Sequence, residues 1–188
     1  MKKNKTDVRK KKREARKRNA KASQINSINK NNNKDRQAEK WADDNILNIF
    51  FVACRRVQKF GNDRLNRLFN RMADTMDCIK GGYVTLRSIE REIYKEAGID
   101  IDRSYANKAL KNKDHFGKVQ YQTLDRLGTI FLWALRIEFG YGNTVIMRIH
   151  RECAHIGNQI NNHEKTYADL AKELSEGKGF TPVRRVKL

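Results

Sequence analysis

HRECAHIGNQINNH, residues 150–163, gathers three of the chain's four histidines around one cysteine. His150, Cys153, His155 and His163 are residue types that hold zinc, through imidazole nitrogen and thiolate sulfur. Their spacing fits no common closed site, and no second cysteine pair accompanies them. Packing residues of a helix, with His155 and His163 exposed, are the simpler expectation. DCIKGGYVTLRS, residues 77–88, has the length and central glycine of a calcium loop. Asp77 would be the first ligand, but the third, fifth and twelfth positions hold Ile79, Gly81 and Ser88, which cannot supply the required carboxylate oxygens. Asp43 with Asp44, and Glu90 with Glu92, are acids one or two positions apart on helices, where they do not face each other. GGY at 81–83 lacks the lysine and hydroxyl of a phosphate loop, and GYG at 140–142 ends a helix instead of opening one after a strand. No Ser–His–acid set can be read from the chain, although such a set assembles in space. The expectation is a non-enzyme with no cofactor and no metal.

The other chemistry on offer is charge. The chain has 188 residues and a net charge of +19. Residues 1–40 hold 16 Lys or Arg against four acids, a net +12, so the remaining 148 residues carry only about +7. VRKKKREARKRNAKA (8–22) concentrates Lys10, Lys11, Lys12, Arg13, Arg16, Lys17 and Arg18, and an Asn-rich spacer follows at 23–34. Like charge this dense buries no apolar surface and repels itself, so residues 1–35 are expected to form a disordered basic arm. The arm has no apolar stripe, and Lys2 stands where myristoylation requires glycine, so a membrane anchor is disfavoured. Phosphates are the fitting partner: an arm of this kind supplies affinity through counterion release and carries little sequence information. DNA and RNA both satisfy it. Three scattered cysteines, Cys54, Cys78 and Cys153, read as reduced thiols of a cytoplasmic protein. The longest apolar runs, IFFVAC and IFLWAL, are too short to span a bilayer.

The body that carries the arm reads as all-α. Trp41, Ile46, Phe50, Ala53 and Val57 recur at helical spacing from Arg36 to Phe60. Gly61 is expected to end that helix in a left-handed turn, with Asn62 or Asp63 capping the next. Leu65, Leu68, Phe69, Met72 and Met76 form one face of the second helix, and Arg64, Arg67 and Arg71 another. Gly81 and Gly82 break it, Thr85 caps a third helix, and Gly98 closes that one. Sliding the chain by 81 residues without a gap lays 49–99 on 130–180, with 12 identities concentrated at caps, breaks and apolar positions. The expected architecture is two pseudo-repeated three-helix units packed together, 36–99 and 130–180, joined by a connector (100–129) with a short helix after Asp102. A C-terminal tail follows at 181–188.

A helix, a Gly-Asn turn and a second helix invite a helix-turn-helix reading, in which Arg64, Arg67 and Arg71 reach a groove or phosphates. A helix stop followed by a cap explains the same residues more simply, and the second copy replaces Arg64 by Val145 and Arg71 by Glu152. The corner GNDRLNR (61–67) followed by DCIKGGYVTLRSIEREIYKEAGI (77–99) resembles small helical accessory proteins of phages and prophages of Gram-positive bacteria, over about residues 50–100. The resemblance implies a context, host nucleic-acid machinery, and transfers no site residue. Two functions are therefore expected. One is a nucleic-acid-binding accessory protein whose body positions the arm or makes a homodimer. The alternative is an interaction protein that docks on a host protein or ribonucleoprotein complex and inhibits or redirects it. The surplus of Trp41, Phe50, Phe51, Phe131, Trp133, Phe139 and Tyr141 over what a small core needs favours the second.

Overall fold

Apolar residues repeating every three to four positions must find a common interior, and they do so here in a set of helices. In the computed structural model, residues 43–99, 115–176 and 179–182 are described, together with Asn33, Arg36, Gln37 and Lys40. Lys10 to Arg18, Trp41 and the short helix expected after Asp102 lie outside the described residues. Every regular element among the described residues is helical. In chain order these are α1 (43–58), α2 (Asn62–Lys80), α3 (Leu86–Ala97), α4 (His115–Phe139), α5 (Asn143–Asn161) and α6 (Tyr167–Ser175). The 25-residue α4 begins inside the stretch expected to be connector.

α1 and α4 meet at the centre, where Phe50 and Phe131 stack with ring centroids 4.2 Å apart and planes 8° from parallel. Val52, Ala53, Cys54, Ala134 and Leu135 are fully buried around them. α2 and α3 pack on α4, burying Leu65, Leu68, Met72, Ile89 and Ile93. α6 docks on α1: Arg55 donates from Nη1 to the carbonyls of Glu173 and Leu174, at 3.1 and 3.0 Å. Phe60, Phe139 and Tyr141 form an aromatic cluster where the corners after α1 and α4 approach each other. Phe50, Phe51 and Phe131 are buried, and Trp133, Phe139 and Tyr141 are partly buried against the core. These aromatics are therefore not a surplus; the fold uses them.

The corners differ from the expectation in one respect. Gly61 is extended (φ −79°, ψ 174°), as is Gly142 (φ −83°, ψ 176°), and neither helix start has a side-chain cap. The left-handed residues are Lys59 (φ 53°) and Gly140 (φ 66°), two positions earlier in each corner. The chain turns there because the Lys59 and Gly140 amides still bond back to the Arg55 and Arg136 carbonyls, closing the helices. Asn62 is not a cap either. Its Oδ1 accepts from Arg55 Nη2 at 2.6 Å and its Nδ2 donates to the Gly179 carbonyl at 2.9 Å. Two other signals act locally as expected. Thr85 and Thr166 each close a capping box, with Ser88 and Asp169 as their partners, and Gly98 ends α3 in the left-handed region at φ 63°.

Candidate functional site

α2 presents the arginines singled out in the sequence, and their surroundings decide what they can do. Arg67 Nε donates to Glu138 Oε1 at 2.8 Å, and Arg71 donates from Nε and Nη2 to Glu138 Oε2, each at 3.1 Å. Glu138 lies near the end of α4, and its side chain is 16% exposed. Burial alone would raise its pKa, but the hydrogen bonds and charges of the two guanidinium groups outweigh that and hold it below the ordinary carboxylate value. Arg67 also lies over the Phe139 ring at 5.2 Å, and Arg64 over Phe60 at 5.6 Å. Thus Arg67 and Arg71 are brought together, but around an internal carboxylate. Arg64 stands apart on the corner.

The helix 81 residues on shows why Arg71 has Glu152 as its counterpart. Glu152 accepts from Arg56 Nη1 at 2.9 Å, and Arg56 is further held by Glu173 through Nε and Nη2, at 2.8 and 2.6 Å. Lys165 Nζ adds a contact to Glu173 at 3.5 Å. The hydrogen bond to Glu173 is the main cause that raises the Arg56 pKa, and the hydrogen bond from Arg56 lowers that of Glu173. One arrangement joins α2 to α4 and the other joins α5 to α1, with the charges exchanged. Sequence reasoning sees the swap but not its cause, because the partners lie 67 to 117 residues apart.

Charge in the described helices is close to balanced. Residues 43–99 and 115–176 hold 17 Lys or Arg against 15 Asp or Glu. Among the described residues no three His, Cys, Asp or Glu side chains converge where they could hold a metal, and no helix is long and apolar enough to cross a membrane.

Two clefts bear on function. One, of about 370 Å³, has Val84, Ile89, Trp133 and Ile137 as its apolar wall and Arg71 and Glu92 at its edge. Val84 and Ile137 are 37% and 44% exposed, and the neighbouring Tyr83 is 84% exposed. The positions 81 residues away from Ile137, Arg71, Glu92 and Val84 are Arg56, Glu152, Glu173 and Lys165, so the equivalent surface holds the ion-pair network instead. The other cleft, of about 350 Å³, lies between α4 and α5 with Ile49 and Phe50 behind them. His150 and Cys153 line it. His150 was expected on the core face and is exposed at the rim instead, while Cys153 is half-buried. Although part of the residue is exposed, burial of the ring against the cleft lowers the His150 pKa from its ordinary value. Burial and then the Glu152 charge push the Cys153 thiol up to about 12, which favours the thiol over the thiolate.

No protein-family model, curated protein or solved structure matches this chain.

Proposed function

We propose that this is a non-enzymatic nucleic-acid-binding accessory protein, in which the basic arm of residues 1–35 grips phosphates and a helical body positions it. The observation that carries the reading is where the charge is not. The described helices are nearly neutral, and Arg67 and Arg71 of α2 are committed to Glu138. A polyanion therefore has little to hold on the body, and the excess of the +19 chain resides mainly in the arm, with Arg64 an exposed further candidate at the start of α2. The body is proposed to be two repeated three-helix units. In support, the left-handed residues Lys59, Gly82 and Gly98 recur 81 positions later as Gly140, His163 and Gly179. In further support, Phe50 stacks on its own counterpart Phe131 and Phe60 meets Tyr141.

Deletion of residues 1–34 tests the assignment. Non-specific affinity for DNA and RNA should fall by orders of magnitude and the slope of log K against log salt should flatten, while helicity and melting temperature stay unchanged. Unchanged binding to both nucleic acids would overturn it. A second reading has its own support in the exposed Tyr83, Val84 and Ile137 beside Trp133: the body docks on a protein of a nucleic-acid-processing complex, and the arm steers the encounter. In that case the truncated chain keeps its activity at higher concentration.

A further inference from the structure

The α4–α5 cleft contains a local weakness that neither the fold nor the arm explains. Gly128 lies inside α4 and Gly157 inside α5, and both line the cleft. Glycine weakens a helix interior, and it is retained where the backbone or a neighbour demands it. Neither demand exists here. Neither residue has a left-handed φ, and a Cβ added to either meets nothing within 4 Å. The corresponding residues 81 positions earlier are Leu47 and Met76, and those corresponding to His150 and Cys153 are Phe69 and Met72. These four large side chains line a smaller depression of about 260 Å³. Four positions on one cleft have therefore lost bulk together, and the space they leave is open.

The walls specify what would fill that space. Phe50, Phe131, Leu132 and Leu124 make the surface apolar. Its polar groups are nearly all engaged: Thr129 Oγ1 donates to the Asp125 carbonyl at 3.1 Å, and Tyr121 and Asp125 have partners within the protein. The exposed His150 ring lines the same cleft and can donate one hydrogen bond and accept another. We propose that this cleft is a binding site for a small uncharged molecule with an apolar body and one hydrogen-bonding group, an aromatic alcohol being the representative class. A cavity of about 150 Å³ holds benzene, so a cleft of about 350 Å³, open on one side, suits on the order of ten heavy atoms. A charged ligand would lose its hydration here with no opposite charge to compensate except Asp125, which is already engaged.

The probe is 2-naphthol, titrated into the full chain with its own fluorescence as the readout and the imidazole proton resonances of the histidines as the locator. Saturable one-to-one binding that shifts His150, and not His155 or His163, is expected. Gly128→Leu with Gly157→Met installs the bulk found 81 residues earlier and should weaken binding at least tenfold, with helicity kept and the melting temperature equal or higher. Should that double variant fail to fold, Gly157→Ala alone serves: it should melt higher than wild type and bind more weakly. Absence of saturable binding, a shift confined to His155 and His163, or affinity unchanged in a folded filled variant would overturn the proposal. So would a filled variant that melts much lower than wild type while wild type ignores the probe, because the chain itself would then be occupying the cleft.

Discussion

Truncating Phe131 to alanine removes the ring at the centre of the fold, and the structure sets the size of the effect. Phe131 is 1% exposed and Phe50, its stacked partner at 4.2 Å, is 5% exposed. Deleting a buried phenylalanine side chain costs about 3–5 kcal/mol, through lost transfer energy and the cavity left behind. Here two close-packed helices leave little room to collapse, which favours a value near 4 kcal/mol by the same scale. For a domain of this size each kcal/mol lowers the melting temperature by roughly 2–4 °C, so Phe131→Ala should melt about 8–16 °C below wild type. Phe50→Ala should have a similar effect, and the double variant should be less destabilised than the sum by about 1 kcal/mol, the part of the stack counted twice. The assay is thermal and urea unfolding followed by far-ultraviolet circular dichroism. Tyr83→Ser is the control, because at 84% exposure it should change stability by no more than about 0.5 kcal/mol. Strict additivity of the two phenylalanine variants, or a loss below about 1 kcal/mol for Phe131→Ala, would refute the placement of α1 against α4.

Further outcomes follow from the corners and the carboxylate clamp. The Glu138 pKa is lowered in the folded protein, so its contribution is present above the unfolded value near 4.5 and is lost as pH falls through the folded one. Glu138→Gln should therefore destabilise by about 1 kcal/mol at pH 7, discounted because Arg67 and Arg71 are 47% and 40% exposed. The difference from wild type should disappear in acid below that range, and equal destabilisation at pH 7 and pH 3 in urea titrations would count against the clamp. The same variant frees two arginines, so its affinity for a random duplex at low salt should rise; a fall in a gel-shift titration would contradict the pairing. In the corners, Lys59→Gly should raise stability by roughly 0.5 kcal/mol, since relief of the left-handed strain exceeds the entropy glycine loses, whereas Gly140→Ala should lower it by about 1 kcal/mol. Gly61→Ala should be nearly silent in the same melts, because its φ is ordinary and a Cβ there meets nothing within 4 Å.

Much of the local structure was legible in the chain, because its causes lie within a few residues. Thr85 meets Ser88 and Thr166 meets Asp169 three positions on, and Gly98 ends α3 in the backbone region that glycine adopts most easily. The apolar stripes of α1 and α2 follow from spacing alone, and so does the separation of a dense basic arm from a body with interleaved charge. Tertiary structure decided the rest. Nothing near Arg67 or Arg71 in the sequence announces Glu138, which lies 71 and 67 residues away, so their pairing with it is legible only in the fold. The left-handed role falls to Lys59 and not Gly61, at a corner whose Phe60 packs on Phe139 and Tyr141 from a distant part of the chain. His150 shares a register with a half-buried phenylalanine yet lies exposed, on a cleft that Gly128 and Gly157 also line. Hydrogen-bonded turns and side-chain periodicity act over a few residues and leave their mark in sequence. Charge pairing and empty volume depend on which distant helices meet, and that is settled only when the core closes.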